Sequence, residues 1–96
     1  MSAYLIAQLT ITDPAGFDAY REAVPPVIAA YGGRYLSRGG AVTPLEGEPA
    51  GPRIVVLEFA DRAAAERFYG APEYQEILPL RLNSARGPVF IVDGTV

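Results

Sequence analysis

The sequence predicts an α+β fold of the ferredoxin-like type, in which helices cover one face of a four-stranded antiparallel sheet. Two observations predict this fold. Hydrophobic periodicity along the chain gives the element order β-α-β-β-α-β, which is the order of a split β-α-β unit. The length of 96 residues suits one domain over residues 1–96, because two cores could not each bury enough apolar surface in so short a chain.

A strand and a long helix form the first third of the chain. Residues 4–11 are rich in apolar and β-branched side chains, and the polar Gln8 and Thr10 share one parity, which predicts a strand. A capping sequence before Pro14 then starts a helix, which ends at the glycine pair 32–33. Because the proline pair 25–26 removes two backbone donors, we expect a kink or a local loss of hydrogen bonding around residues 21–24.

The remaining elements follow the same reasoning. Residues 34–45 predict one strand bent by a bulge at the glycine pair 39–40, or two short strands, and Pro44 places it at a sheet edge. Residues 53–59 read RIVVLEF, a nearly continuous apolar run that predicts a central strand. Asp61 caps the next helix, which restarts at Pro72 and ends at the Gly-Pro pair 87–88. Residues 89–92 predict the last strand.

The predicted topology leaves one face of the sheet uncovered. Right-handed crossovers place the third strand between the first and second, with the helices on one face. The third strand is nevertheless apolar on both sides, since Ile54 and Val56 alternate with Val55, Leu57 and Phe59. Because a monomer would leave one apolar face open, we expect a homodimer that pairs through it as a dimeric α/β barrel.

The composition excludes several kinds of chemistry. Cysteine, histidine and tryptophan are absent, and all eight basic residues are arginine. The chain therefore lacks the residues for disulfides, Cys/His zinc sites, Ser-His-Asp triads, haem ligation by histidine and lysine Schiff bases. No acidic cluster has metal-ligand spacing, so we expect no metal and no cofactor.

The charge and the N-terminal sequence indicate where the protein acts. A net charge of −3 has the wrong sign for binding nucleic acid or anionic lipid. The first residues carry no basic segment before a long apolar stretch, so we expect neither a signal peptide nor a membrane span. These observations favour a cytoplasmic location without nucleic-acid or membrane partners.

Glu58 is the strongest candidate for a catalytic group. It lies in the apolar run of the predicted central strand, where burial would favour its protonated form and fit it for general acid or base work. The alternative is that Arg34 or Arg38 on the neighbouring strand neutralises it in a structural ion pair. These two arginines share a parity, so we expect them on one face, where they could hold a carboxylate or another anion.

The inward stripes of the helices supply further candidates. Tyr20, Tyr69 and Tyr74 could orient an oxygenated or aromatic ligand, and Tyr69 is a second candidate for proton transfer. Gln75 and Arg81 are polar groups of the same region. The alternative is that the tyrosines only fill the core and that Arg81 is an exposed charge near a helix end.

Four blocks of sequence resemble a known family. They are YGGRYLSRGG at 31–40, LEG at 45–47, RIVVLEF at 53–59 and FYGAPEYQ at 68–75. In this order they resemble the bacterial DUF1330 family, of the dimeric α/β-barrel superfamily. The resemblance implies that fold and a pocket but no particular reaction, because the superfamily includes cofactor-independent monooxygenases, isomerases and ligand sensors. Its histidine-dependent and haem-dependent branches do not apply to a chain without histidine.

The leading hypothesis is therefore a homodimer that binds a small anionic or aromatic metabolite between helices and sheet. An enzymatic version would be cofactor-independent proton transfer, isomerisation or cyclisation, with Glu58 or Tyr69 moving the proton and Arg38 holding the anion. The alternatives are a non-catalytic ligand-binding or accessory dimer and a dimer whose polar residues only satisfy one another.

Overall fold

A computed structural model describes residues 1–95 as an antiparallel sheet with three helices against it. The elements are β1 (Ala3–Ile11), α1 (Pro14–Ala30), β2 (Arg34–Arg38), β3 (Arg53–Phe59), α2 (Arg62–Gly70), α3 (Pro72–Leu82), β4 (Ala85–Arg86) and β5 (Val89–Asp93). The sheet order is β2-β3-β1, and both β4 and β5 pair with β1. All pairs are antiparallel, so the predicted ferredoxin-like topology is confirmed.

The sheet has five strands where the sequence predicted four. Helix α3 ends at Leu82, and the chain then forms the two-residue strand β4 against the end of β1. Gly87 has a φ of 133°, which glycine adopts readily and other residues rarely, and its backbone lies against that of Gln8 in β1. The prediction that the helix restarting at Pro72 continues to residue 87 is therefore wrong. The turn at Gly87 connects two strands and does not end a helix.

The core lies between the helices and the odd-numbered side of β1. Alternate residues of β1 are buried, and their cross-strand partners in β3 and β5 face the same way. The aromatic rings of Phe59 and Phe68 are almost fully buried, with centroids 5.3 Å apart. The principal cluster consists of Leu5, Val24, Ile28, Leu57, Phe59, Ala64, Ala65, Phe68, Ala71, Tyr74 and Leu78.

Strand β2 is shorter than predicted, and its bulge lies at a different residue from the predicted glycine pair. Residues 39–52 form neither helix nor strand, so the second half of the predicted strand is wrong. Gly39 has a φ of 69°, in the left-handed region, which turns the chain away from the sheet. The pairing register shifts between Tyr35 and Ser37, which places the bulge at Leu36 and not at the glycine pair.

Within residues 1–95 no helix covers the other face of the sheet, which is largely apolar. The pairing register places six apolar or aromatic side chains there: Tyr4, Ile6, Ile54, Val56, Phe90 and Val92. Phe90 and Val92 are each 42% exposed. This surface, defined by those six residues, is called the open face below.

None of the helices in residues 1–95 has the length and apolar character needed to cross a membrane.

Candidate functional site

A pocket lies between α1, α3 and the helix-covered side of the sheet. It encloses about 50 Å³, which holds a few water molecules. Most of its wall is apolar, from residues such as Leu5, Val24, Leu57 and Phe68. The polar part of the lining consists of three tyrosines and four arginines: Tyr20, Tyr35, Tyr74, Arg21, Arg38, Arg53 and Arg81.

The pocket is positively charged although the protein as a whole is acidic. Among residues 1–95, no aspartate or glutamate lines it. Arg21 pairs with Asp18 at 2.9 Å, but this pair lies on the exposed side of α1. Four guanidinium groups around an apolar cleft repel one another, and an anion placed among them would lower that repulsion.

Arg53 stands at the start of β3 on the helix-covered side. It is paired with Leu9 in β1, and its guanidinium lies 5.2 Å from the ring centroid of Phe17. Its Nε is buried and has no hydrogen-bond partner in the described part of the chain. Burial lowers the pKa of Arg53, and repulsion from Arg21 and Arg38 lowers it further. The side chain therefore offers an unused donor to a ligand.

Arg38 enters the pocket because of the bulge in β2. Arg34 is opposite Glu58, whereas Arg38 is opposite Val55, which lies on the other side of β3. The extra residue at Leu36 thus turns Arg38 toward the helices. The prediction that Arg34 and Arg38 share a face is wrong for this reason.

Two contacts hold the Arg38 guanidinium. Its Nη2 donates to the carbonyl oxygen of Arg21 at 3.1 Å. Its centre lies 4.6 Å from the ring centroid of Tyr35. Burial raises the pKa of Tyr35, while the positive charges of Arg38 and Arg53 act in the opposite direction, so the phenol remains a hydrogen-bond donor at neutral pH.

Tyr20 and Tyr74 join α1 to α3 at the opposite wall. Their hydroxyl oxygens are 2.9 Å apart. Burial, reinforced by Tyr74, raises the pKa of Tyr20 far above its ordinary range, so the phenol stays protonated. One hydroxyl hydrogen of the pair is not used in the bond between them and is free for another acceptor.

Arg81 is buried beside these phenols, with 6% of its surface exposed. Burial acts to lower the pKa of Arg81, but the neighbouring Tyr74 and Tyr20 outweigh it and raise the value. The alternative that Arg81 is an exposed helix charge is therefore wrong. The predicted residues Tyr20, Arg38, Tyr74 and Arg81 all come together in this pocket.

Glu58 and Arg34 lie outside the pocket, on the side of the open face. Arg34 Nε donates to Glu58 Oε1 at 2.6 Å, next to a shallow hollow that includes Ser2 and Gly32. The hydrogen bond from Arg34 lowers the pKa of Glu58, although burial opposes it. The expectation that Glu58 is held protonated is wrong, because even-numbered residues of β3 point away from the helices and this one meets an arginine.

Tyr69 and Gln75 also lie outside the pocket. Tyr69 borders a separate depression near Val89 and Phe90, and its ring centroid is 5.4 Å from that of Tyr74. Gln75 is exposed, and its Nε2 donates to the backbone oxygen of Tyr69 at 2.7 Å. The structure therefore does not bring either side chain to the arginine cluster.

Sequence reasoning missed Arg53, Tyr35 and Arg21. Arg53 has the same parity as Val55 and Leu57, which was a signal that it faces the helices. Arg21 lies at the pocket edge with a half-exposed side chain. Within residues 1–95, no three acidic side chains are grouped closely enough to hold a metal ion.

Comparison with known proteins gives one family and one fold. The family model described as a domain of unknown function, DUF1330, matches residues 2–95. No curated protein matches the chain. A protein of unknown function from Rhodopseudomonas palustris, RPA0582, superposes with a TM-score of 0.80 at 15% identity, covering 99% of this chain and 83% of that one.

Two further solved structures have names that include an activity. SnoaB from Streptomyces nogalater, described as a cofactor-independent oxygenase, superposes with a TM-score of 0.70 at 10% identity, covering 99% of this chain and 94% of that one. A protein described as an antibiotic biosynthesis monooxygenase gives a TM-score of 0.54 at 16% identity, with both chains covered completely. At these identities the likeness shows a shared fold.

Proposed function

Because the chain belongs to the DUF1330 family and has the fold of the dimeric α/β barrels, we propose that it binds a small organic anion in the pocket between α1, α3 and the sheet. The ligand carries a carboxylate or enolate on a compact apolar body. The arginines hold the charge, the phenols orient a second oxygen atom, and the apolar wall takes the body.

One observation carries this proposal. Within residues 1–95, four arginines and no carboxylate line a mainly apolar pocket, and the Nε of Arg53 is buried there without a partner. A structural role for these charges would normally provide carboxylates to neutralise them, whereas in the described residues only Arg21 has one, Asp18, which lies outside the pocket. A buried guanidinium donor without an acceptor is costly, and a bound anion removes that cost.

The size of the pocket restricts the ligand. A volume of about 50 Å³ is small beside common metabolite sites. Arg21 lies at the border with a half-exposed side chain, so displacement of this side chain would enlarge the space without moving Arg38. The proposal therefore favours a ligand with one ring or a short chain.

The side chains of the pocket favour binding over acid-base catalysis by the protein. Tyr20 stays protonated, and Glu58 lies on the opposite side of the sheet. The tyrosines and arginines of the pocket can donate hydrogen bonds, and the arginines carry positive charge. Within residues 1–95, no carboxylate lines the pocket to accept a proton. For a ligand that enters the pocket already deprotonated, the arginines stabilise the negative charge, and the protein does not have to accept a proton.

The open face supports a second part of the proposal, that the functional unit is a homodimer. Six apolar or aromatic side chains project from this face, and no helix covers them. A second copy of the sheet would remove this apolar surface from water, which is the main driving force for such association.

Calorimetric titration with benzoate, compared with its neutral isostere benzamide, tests ligand binding. Benzoate is expected to bind and benzamide to bind at least about tenfold more weakly, since charged hydrogen bonds contribute about 1.5–3 kcal/mol. Arg53→Gln should abolish the preference, whereas Arg67→Gln, at an exposed position on α2, makes the same change in charge and should preserve it. Equal binding of both compounds, or of neither, would contradict the proposal.

Native mass spectrometry of gently purified protein tests both parts together. A dimer with an additional small mass would support the pocket and identify its occupant. A dimer without added mass would support only the pairing through the open face, and a monomer would contradict that part of the proposal.

A further inference from the structure

Pro25 in α1 leaves one backbone carbonyl of the helix without its usual hydrogen-bond donor. In an α-helix the carbonyl of residue 21 accepts from the N–H of residue 25. Residue 25 is proline and has no N–H, so this carbonyl lacks its usual donor. The helix nevertheless runs without interruption from Pro14 to Ala30.

Arg38 supplies the missing donor from a different element. Its Nη2 lies 3.1 Å from the carbonyl oxygen of Arg21. This contact crosses from β2 to α1 over the edge of the pocket. It therefore depends on two sequence features together, the bulge at Leu36 that turns Arg38 inward and the proline that leaves the carbonyl free.

The contact fixes one edge of the guanidinium and leaves the rest available. The face of the group rests on Tyr35, with 4.6 Å to the ring centroid. Within residues 1–95 Arg38 forms no ion pair, in contrast to Arg34 and Arg62. A guanidinium has five N–H donors in a fixed plane, so four remain after one is used on the carbonyl.

We propose that Arg38 positions the anion in this pocket and that Pro25 holds Arg38 in place through the free carbonyl of Arg21. The inference rests on the proposed function and names the part of the site that receives the charge. Arg38, with its planar guanidinium, and Arg53, with its unpartnered Nε, line the same pocket and together form a two-arginine clamp for a carboxylate.

An arginine side chain that is ordered before binding holds an anion more tightly than one that must be ordered by it. Arginine loses considerable side-chain entropy when it is ordered by a ligand. The carbonyl and the ring of Tyr35 order Arg38 before the ligand arrives. Pro25, which is unfavourable for the helix by itself, therefore acts in the binding site by leaving this carbonyl free.

Pro25→Ala and Pro26→Ala are a matched pair of variants for this proposal. Each restores one backbone N–H and improves helix propensity by the same kind of change. Only Pro25→Ala provides a donor for the carbonyl of Arg21 and so competes with Arg38. The carbonyl freed by Pro26 is that of Glu22, and in residues 1–95 no side chain is found donating to it.

The measured quantity is the dissociation constant of benzoate, determined by calorimetry for the dimer or monomer as purified. Pro25→Ala is expected to weaken binding about threefold or more, as expected when an ordered side chain becomes free, and Pro26→Ala is expected to leave it unchanged. Arg38→Gln should weaken binding about tenfold. In the Arg38→Gln background, Pro25→Ala should have no further effect.

Two results would overturn the inference. Equal effects of Pro25→Ala and Pro26→Ala would show that only helix propensity matters. An effect of Pro25→Ala that persists in Arg38→Gln would show that the proline does not act through the arginine.

A second readout separates failure of this inference from failure of the proposed function. If benzoate does not bind the wild-type protein, both the proposed function and the anion-positioning role fail. Urea unfolding then still tests the anchor, because Arg38→Gln should destabilise the wild-type protein but not the Pro25→Ala variant. Equal destabilisation in both backgrounds would overturn the anchor as well.

Discussion

Arg34 and Glu58 face each other across β2 and β3, and both guanidinium contacts to Glu58 Oε1 measure 2.6 Å. Arg34 is 71% exposed at its side chain and Glu58 only 20%. The pair fixes the edge strand β2 to the centre of the sheet at a point one residue before the bulge region. This ion pair lies on the side of the open face, whereas the arginines of the pocket lie on the helix-covered side of the sheet.

The pH dependence of stability follows from this pair. Hydrogen bonding to Arg34 lowers the pKa of Glu58 below its ordinary value of 4.5. A carboxylate whose pKa is lowered in the folded state stabilises the protein above that ordinary value, and this stabilisation is lost as the pH falls through the lowered pKa. Urea unfolding should therefore show a difference between wild type and Glu58→Gln at pH 7 that disappears in strong acid.

A control variant makes this measurement specific to the pair. Glu48 lies exposed in the segment between β2 and β3 and forms no ion pair in the described part of the chain. Glu48→Gln removes the same charge and should not change the stability at pH 7 by a comparable amount. A loss that is equal for both variants would mean that net charge, and not the contact with Arg34, is responsible.

The bond between the hydroxyls of Tyr20 and Tyr74 leads to a second prediction. Tyr20→Phe removes one partner at 2.9 Å and leaves the buried Tyr74 hydroxyl without it. We expect a loss of about 1–3 kcal/mol in the free energy of unfolding, the usual cost of a buried polar group that loses its partner. Chemical denaturation followed by fluorescence or circular dichroism measures this quantity.

Tyr31→Phe is the matched variant for this experiment. The Tyr31 hydroxyl donates to Glu73 at 2.6 Å in an exposed position, where water replaces the lost bond at a cost of about 0.5 kcal/mol or less. The two variants should therefore differ clearly. If Tyr20→Phe is no more destabilised than Tyr31→Phe, the phenol pair does not hold α1 against α3.

The oligomeric state gives a third prediction. Phe90 projects from the open face with 42% of its surface exposed, so a polar residue is tolerated there in a monomer. Phe90→Glu should produce folded monomers in sedimentation velocity, because it places a charge in each half of the proposed interface. Leu82→Glu, at the exposed end of α3 with 60% of its surface accessible, should keep the oligomeric state of the wild-type protein, which the proposal expects to be a dimer. Dimeric Phe90→Glu would contradict pairing through this face.

The order of elements could be predicted from the sequence because each element carries its own periodicity. The alternation in β1, the capping Asp61 of α2 and the apolar run of β3 are local signals, and the structure contains all three elements. The topology then follows from general rules of chain connection. For these reasons the fold was predictable without any knowledge of side-chain contacts.

The candidate site was predictable only in part, and the reason is the bulge at Leu36. The sequence of β2 alternates without any irregularity, so nothing local shows that its register shifts by one residue. That shift separates Arg38 from Arg34 and directs it into the pocket. The burial of Arg81 likewise depends on its contact with Tyr20 and Tyr74 from α1 and α3, and such contacts are not visible in the spacing of residues.

The backbone beside Arg53 supplies the last prediction. Gly39 has a φ of 69°, and a Cβ at this position would collide with the guanidinium of Arg53. Gly47 has a φ of 77° with open space around it, so Gly47→Ala tests the left-handed backbone alone, at a cost of about 1–2 kcal/mol in stability. Gly39→Ala has the same backbone cost, but it should also weaken benzoate binding in calorimetry, because its Cβ displaces the guanidinium of Arg53, an arginine of the clamp. Equal affinity of the two variants would show that Gly39 does not position Arg53.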